Sequence, residues 1–270
     1  MIKLLKNKLE KYFSIIKINF SKVLVYKYSF LIEIISLLFQ FTASVYIWKY
    51  ILENSPQIKN YSVISLTSYL LFSTIIKAIT QNTTSIDIEK DIRTGNIYNF
   101  LILPIDYIFL YLFRDIGSSL GRILLNSWLI GIYGLLFFNV NIYYGIVNYL
   151  LFFISIVFSI LIYSEISILI GLISFWTVSQ NGLRYANSVI SAFFSGSLIP
   201  LDFYPDLLKK ISLFLPYRSI IYVPITILQT NTIYSNLFQL LIQFLWVSVL
   251  FFINNKLKIK AFNSLEIVGG

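Results

Sequence analysis

The chain contains no histidine, no cysteine and a single methionine. Those absences exclude cysteine nucleophiles, disulfides, histidine general bases, histidine-ligated haem and every Cys/His zinc site. Charge is scarce as well: Asp, Glu, Lys and Arg make up 12% of the 270 residues, about half the share of a soluble domain. Hydrophobic residues reach 57% and mean hydropathy +0.78, more than one water-bathed core can bury or a disordered chain would carry. An integral membrane protein is what remains, with about 20 apolar residues per helical crossing. A carboxylate-only hydrolase or an all-oxygen magnesium site would need clustered acids, and no such clustering is present.

Residues 1–27 carry the first positive signal. Leu5, Leu9, Tyr12, Phe13, Ile16, Phe20 and Val23 recur at helical spacing, flanked by lysines whose stems can snorkel; Leu4, Ile15 and Ile18 blur the stripe. The pattern predicts an amphipathic helix in the membrane surface, drawn to anionic lipid. It is not a cleavable signal peptide, because the charged region is too long and no small-residue cleavage site follows.

Apolar runs then predict six spans, at 28–51, 61–79, 118–140, 144–176, 185–201 and 237–253. The fourth, at about 48 Å, must be tilted, broken at Gly171 or projecting from the bilayer. Residues 80–117 form the longest inner loop, in which Tyr107–Arg122 carries charges every few positions and reads as interfacial. Residues 202–236 alternate polar breaks with apolar runs between Pro205, Pro216 and Pro224, too short to span and too apolar for a free loop. Short non-spanning helices on the outer side, re-entrant or packed on the span ends, fit them.

Lysine and arginine set the orientation. With the N-terminus inside, inner segments hold sixteen of them, Lys77, Arg114, Arg122 and Arg184 included. The outer segments hold five: Lys49, Lys59, Lys209, Lys210 and Arg218. The expectation is therefore an all-α polytopic protein, one transmembrane domain over 1–270, with both termini cytoplasmic. The net charge of +9 follows from the inner lysines, and no basic stretch is interleaved with stacking aromatics as a nucleic-acid partner would require.

Three stretches carry a family likeness: the lysine-rich helix leading into a span with Trp48-Lys49 near its outer end; DIRTGNIYNFLILPIDY; and SFWTVSQNGLRYANSVISAFFSGSLIPLDFYPDLLKKISLFLPY. In that order the chain resembles the six-span permease subunit of bacterial ABC-2 type exporters, over nearly its whole length. No Walker A loop is present, so the resemblance implies that ATP and magnesium belong to separate ABC ATPase subunits and that this chain has no cofactor of its own. It further implies a plasma-membrane location and a dimer with a second permease, a copy or a relative.

The same resemblance assigns roles. Asp87, Glu89, Asp91, Arg93 and Gly95 fall in a mixed-charge segment with Glu89 and Arg93 at i, i+4 and Gly95 placed as a C-cap; the likeness makes this the element that couples to the ATPase. Glu33 and Gln40 share a helical face of span one and Glu165 lies in span four, so these are candidate pathway residues. Ser195, Gly196 and Pro200 are candidates for an outer gate or the dimer seam, where Gly196 would permit close helix approach. Rival readings are a membrane-embedded lipid-modifying enzyme, which would want acids or bases clustered at one face, and a secondary carrier or channel, which would usually show inverted repeats. Neither pattern is found. Because the chain has no native cysteine, single cysteines report sidedness cleanly. Asn60→Cys should label from outside intact cells and Asn263→Cys only after permeabilisation; outside labelling of Asn263→Cys would overturn the orientation.

Overall fold

The computed structural model describes residues 2–25, 27–54, 62–142, 144–177, 180–230 and 232–266. Ile2–Val25 form α1 and Lys27–Asn54 form α2. Ser62 caps α3, Val63–Thr80, its Oγ accepting from the Ser65 N–H. Two short helices follow, α4 (Thr84–Arg93) and α5 (Ile97–Ile102). Asp106 caps α6, Tyr107–Arg122, by accepting from the N–H groups of Ile108 and Phe109. A π-helical turn, Ile123–Ser127, passes α6 without a break into α7, Trp128–Phe137. The remaining helices are α8 (Ile146–Ile173), α9 (Asn181–Phe194), α10 (Asp206–Leu213), α11 (Tyr222–Gln229) and α12 (Ile233–Glu266).

Five stretches are long and apolar enough to cross a membrane: Leu31–Asn54, Val63–Arg93, Tyr107–Phe137, Ile146–Ile173 and Ile233–Asn263. Helix α3 is the central one, buried along most of its length. Its Tyr69, Phe72, Ile76 and Ile79 pack with Phe152, Ile156 and Ile160 of α8. Leu37, Phe41 and Val45 of α2 meet Leu66 and Leu70 of α3 and Ile130 of α7 in a second cluster. Between lipid-like surfaces apolar burial discriminates little, so close packing and hydrogen bonds must hold the helices together. Helix α8 is accordingly joined to α12 by Ser155 Oγ donating to Gln243 Oε1 at 2.8 Å and by Asn254 donating to the Glu165 backbone carbonyl at 2.9 Å.

The remaining span is built differently from its expected form. Helix α9 has 14 residues, about 21 Å of helix, against roughly 30 Å of hydrocarbon. It begins earlier and stops earlier than the apolar run, because Gly196 takes φ +80° and turns the chain. Yet Arg184, in its first turn, pairs with Glu89 of α4, while Leu198, beyond its end, accepts from Trp48 Nε1 near the far end of α2 at 3.1 Å. Helix and the turn segment after it therefore link the Trp48 end of α2 to the α4 side of the bundle. The hairpin 202–230 folds back inside it. Helix α11 is mostly apolar and buried except at Thr226 and Gln229, and the Ser219 carbonyl before it accepts from Gln243 at 2.7 Å.

Two further elements differ from their sequence expectations. Tyr107–Arg122 is not a separate interfacial piece but the first half of a 31-residue helical stretch: Arg114 and Asp115 are held inside the protein by Asp87, Asn82 and Thr84, and Arg122 lies in the field of Glu33 and Asp115. Helix α8 is not broken at Gly171; it runs 28 residues, about 42 Å. Helix α1 has a protein partner as well as an amphipathic pattern. Tyr12 stacks on Phe113, ring centroids 4.7 Å apart, and Ile16 and Val23 sit on Gly117 and Gly121 of α6. Those glycines are four apart on one face, the spacing that brings helix backbones together in membranes. A Cβ on Gly117 would fall 2.5 Å from the Ile16 carbonyl oxygen, and backbone cannot swing aside.

Gly117→Ala should therefore destabilise the α1–α6 contact by about 1–3 kcal/mol. Gly131→Ala in α7, where an added Cβ meets nothing within 4 Å, should be neutral or slightly stabilising. Thermal unfolding in detergent with limited proteolysis of α1 checks the pair; equal behaviour of the two variants would contradict the packing.

Candidate functional site

Helix α4 rests on the start of α6 and the end of α8. Ile88, fully buried, packs among Tyr107, Ile108, Tyr111 and Leu112 of α6 and Ile168 and Leu172 of α8. Gly95, at φ +72°, lies just past the helix end where a C-capping glycine belongs.

The polar residues of α4 divide by direction. Asp87 Oδ2 pairs with Arg114 Nη2 of α6 at 2.6 Å and also accepts from Thr83 Oγ1. Asp91 accepts from the Tyr111 hydroxyl. Glu89, with 8% of its side chain exposed, forms an ion pair with Arg184 of α9 and a looser one, 3.4 Å, with Arg93. The hydrogen bond from Arg184, then its charge and that of Arg93, outweigh desolvation and hold the Glu89 carboxyl below the usual carboxylate range. Just before α4, Thr84 Oγ1 and Asn82 Nδ2 donate to the buried Asp115 carboxylate of α6 at 2.6 and 2.9 Å. Asp106 is tied to Lys258 of α12. All three acids of α4 thus point into the protein. The face left to solvent carries Ile86, Lys90 and Arg93, the last 62% exposed, and it is cationic.

Helix α9, the far partner of Glu89, is also one wall of a cavity of about 340 Å³. Ser188 and Ser191 of α9 face Lys77 and Thr80 of α3, Tyr163 of α8 and the Ile220–Ile221 step before α11. Gln40 belongs to this region: its Oε1 accepts from Lys77 Nζ at 3.1 Å. The other two candidate pathway residues lie elsewhere. Glu33 is half-buried on α2, in electrostatic reach of Arg122. Glu165 is fully buried in the α8–α12 seam, bonded to Asn254, and does not line the cavity. Lys77 had registered only as one more inner lysine; its one distinguishing mark in the sequence is a cation inside the apolar run of span two.

Ser195, Gly196 and Pro200 come together where α9 ends against α3 and the hairpin. The Ser195 carbonyl accepts from the Tyr222 N–H at 3.0 Å, and the Gly196 carbonyl accepts from the Tyr69 hydroxyl at 2.7 Å. Gly196 serves a turn outside the helix, not a helix-to-helix approach, and an added Cβ would lie 2.6 Å from Tyr69 Oη. Pro200 is buried and leads into the 3-10 turn Leu201–Phe203, whose Phe203 ring stacks on Trp48 at 5.8 Å.

Five helical stretches long and apolar enough to cross a membrane, a short helix clamped to two of them, and a cavity beside a buried hairpin fit the class of membrane transport proteins. The model of the ABC-2 family transporter proteins matches residues 37–269, and the chain belongs to that family. It is a multi-pass membrane permease of an ABC transporter, a transport component. A search of curated proteins gives no match.

The inward ties give α4 a testable asymmetry. Glu89→Ala leaves Arg184 without its counter-charge and should raise amide exchange across α4 and the start of α9, at a cost of about 2–4 kcal/mol. Lys90→Ala should stay within about 0.5 kcal/mol. Since the folded-state pKa of Glu89 is lowered, its contribution is complete above the ordinary carboxylate range and lost as pH falls through the lowered value. Protection factors across α4, corrected for the intrinsic pH dependence of amide exchange, should therefore be flat near neutrality and fall only in acid; a drop between pH 6 and 8 would contradict the pairing.

Proposed function

We propose that this permease is half of the transmembrane part of an ATP-driven exporter in a bacterial plasma membrane, with both termini cytoplasmic. It would be joined to a second permease and to two ABC ATPase subunits that bind ATP and magnesium. The carrying observation is the arrangement of α4: clamped to the inner ends of α6 and α8, tied through Glu89 to Arg184 of α9, and cationic on its free face. A short helix held that rigidly passes on any displacement imposed from below. Asp87, Glu89 and Asp91 then transmit, while Lys90 and Arg93 with Ile86 make contact and Gly95 ends the element. The docking surface of the ATPase would be acidic with an apolar centre.

Exposure of α9 supports the dimer. None of its residues is buried, and Leu183, Tyr185, Val189, Ile190 and Phe193 stand outward. Together with the outer apolar face of α2 (Ile32, Ile35, Phe39), they offer a surface for a second permease.

Reversal of Lys90 to Glu, which leaves the Arg93–Glu89 pair in place, should leave membrane abundance normal, because exposed substitutions cost about 0.5 kcal/mol or less. Against an acidic surface it should weaken ATPase association by about 2–4 kcal/mol, more than tenfold. Copurification of the ATPase and ATP-dependent export should fall together. Undiminished copurification would refute this docking face.

A further inference from the structure

We propose that the cavity around Lys77 is a binding site for an anionic group of the transported substrate, a phosphate or a carboxylate. The inference rests on the exporter reading and adds a substrate class to it. Lys77 sits in the last turn of α3, a helix buried along most of its length, and lines the cavity. Its hydrogen-bond partner, Gln40, is neutral, and among the described residues no carboxylate lies within ion-pair distance. Arg122, also inside the bundle, differs: Glu33 and Asp115 both act on its charge. A cation kept among apolar helices without a counter-charge is costly, and such residues mark substrate paths.

The rest of the lining suits an anion. An ammonium has three donors, and Gln40 accepts one of them, leaving two for the cavity. Ser191, Tyr163 and Gln81 line the same space with further donors, the Thr80 and Ser188 hydroxyls being committed to the Ile76 and Tyr185 carbonyls, and among the described residues no Asp or Glu lines it. At about 340 Å³ the cavity takes a headgroup, not a whole large molecule. Ile220 and Ile221 form its floor, and the adjoining α9 surface is apolar, so the anion can be carried by an amphiphile or arrive as a small solute.

The test uses the purified full chain in phosphatidylcholine nanodiscs without ATPase. Equilibrium binding is measured for radiolabelled dodecyl phosphate, dodecanoate, inorganic phosphate and the zwitterion dodecylphosphocholine. Saturable binding of at least one anion is expected, weakened tenfold or more in Lys77→Gln and in the cavity-filling Ser191→Leu, and retained in Lys77→Arg. The zwitterion should bind at least tenfold more weakly than dodecyl phosphate. Binding by the dodecyl anions alone would assign an amphiphile, and equal binding of inorganic phosphate a soluble anion. Equal affinity in wild type and Lys77→Gln, or no saturable binding of any anion, overturns the site. Since no ATPase is present, that failure is separate from a failure of the Lys90 and Arg93 docking face.

Discussion

The ion pair between Glu89 and Arg184 is the contact on which the rest of the arrangement turns. It joins the helix between the second and third spans to the first turn of α9, two elements 95 residues apart in sequence. Without it α4 would still rest on α6 and α8 through Ile88 and still follow Thr80 and Gln81 of the cavity lining along the chain, but it would lose its ion pair to α9. With it, α4 is tied to α9, one wall of the cavity, and the coupling we propose is that a displacement of Lys90 and Arg93 shifts Ser188 and Ser191 against Lys77. The pair is partly shielded from water, so it is less screened than a surface bridge, and breaking it strands a cation.

A second constraint shapes the outer half. Backbone that leaves the helix inside a membrane must find its hydrogen bonds within the protein. Here the non-helical steps are each answered by a polar side chain on a span. Tyr69 answers the Gly196 carbonyl, Ser73 the Ser197 carbonyl at 3.1 Å, and Gln243 the Ser219 carbonyl. Asn148 bonds the carbonyls of Leu228 and Thr230, closing the end of α11. The polar residues scattered through the apolar runs of α3, α8 and α12 are thus largely the price of a re-entrant hairpin. They hold the Ile220–Ile221 side of the cavity in place, while no residue of its α9 wall is buried.

How much of this was legible beforehand depended on whether a feature is local. The apolar runs of α2, α3, α8 and α12 are local, and so is the mixed-charge signature of α4 with its terminal glycine. The inner half of the third span was not legible, because Arg114 and Asp115 look like interfacial charges until Asp87, Asn82 and Thr84 are seen beside them. Gly117 and Gly121 carried a readable spacing but lay in a segment taken for interfacial, so their fit under Ile16 and Val23 went unseen. Glu165 looked like a pathway residue because its partner Asn254 is 89 positions away. Lys77 was counted towards orientation, a sum to which every lysine contributes alike; only the cavity distinguishes it.

The account's central claim, that α4 moves the cavity wall through Glu89 and Arg184, has a direct measurement. The chain has no native cysteine, so Ser191→Cys places one thiol in the cavity. Its maleimide labelling rate is compared with and without ATP in the assembled complex with the ATPase. The account predicts a several-fold ATP-dependent change, abolished by Glu89→Arg or Arg184→Glu alone and restored when the two are combined. The same ATP-dependent change in all four backgrounds would contradict it.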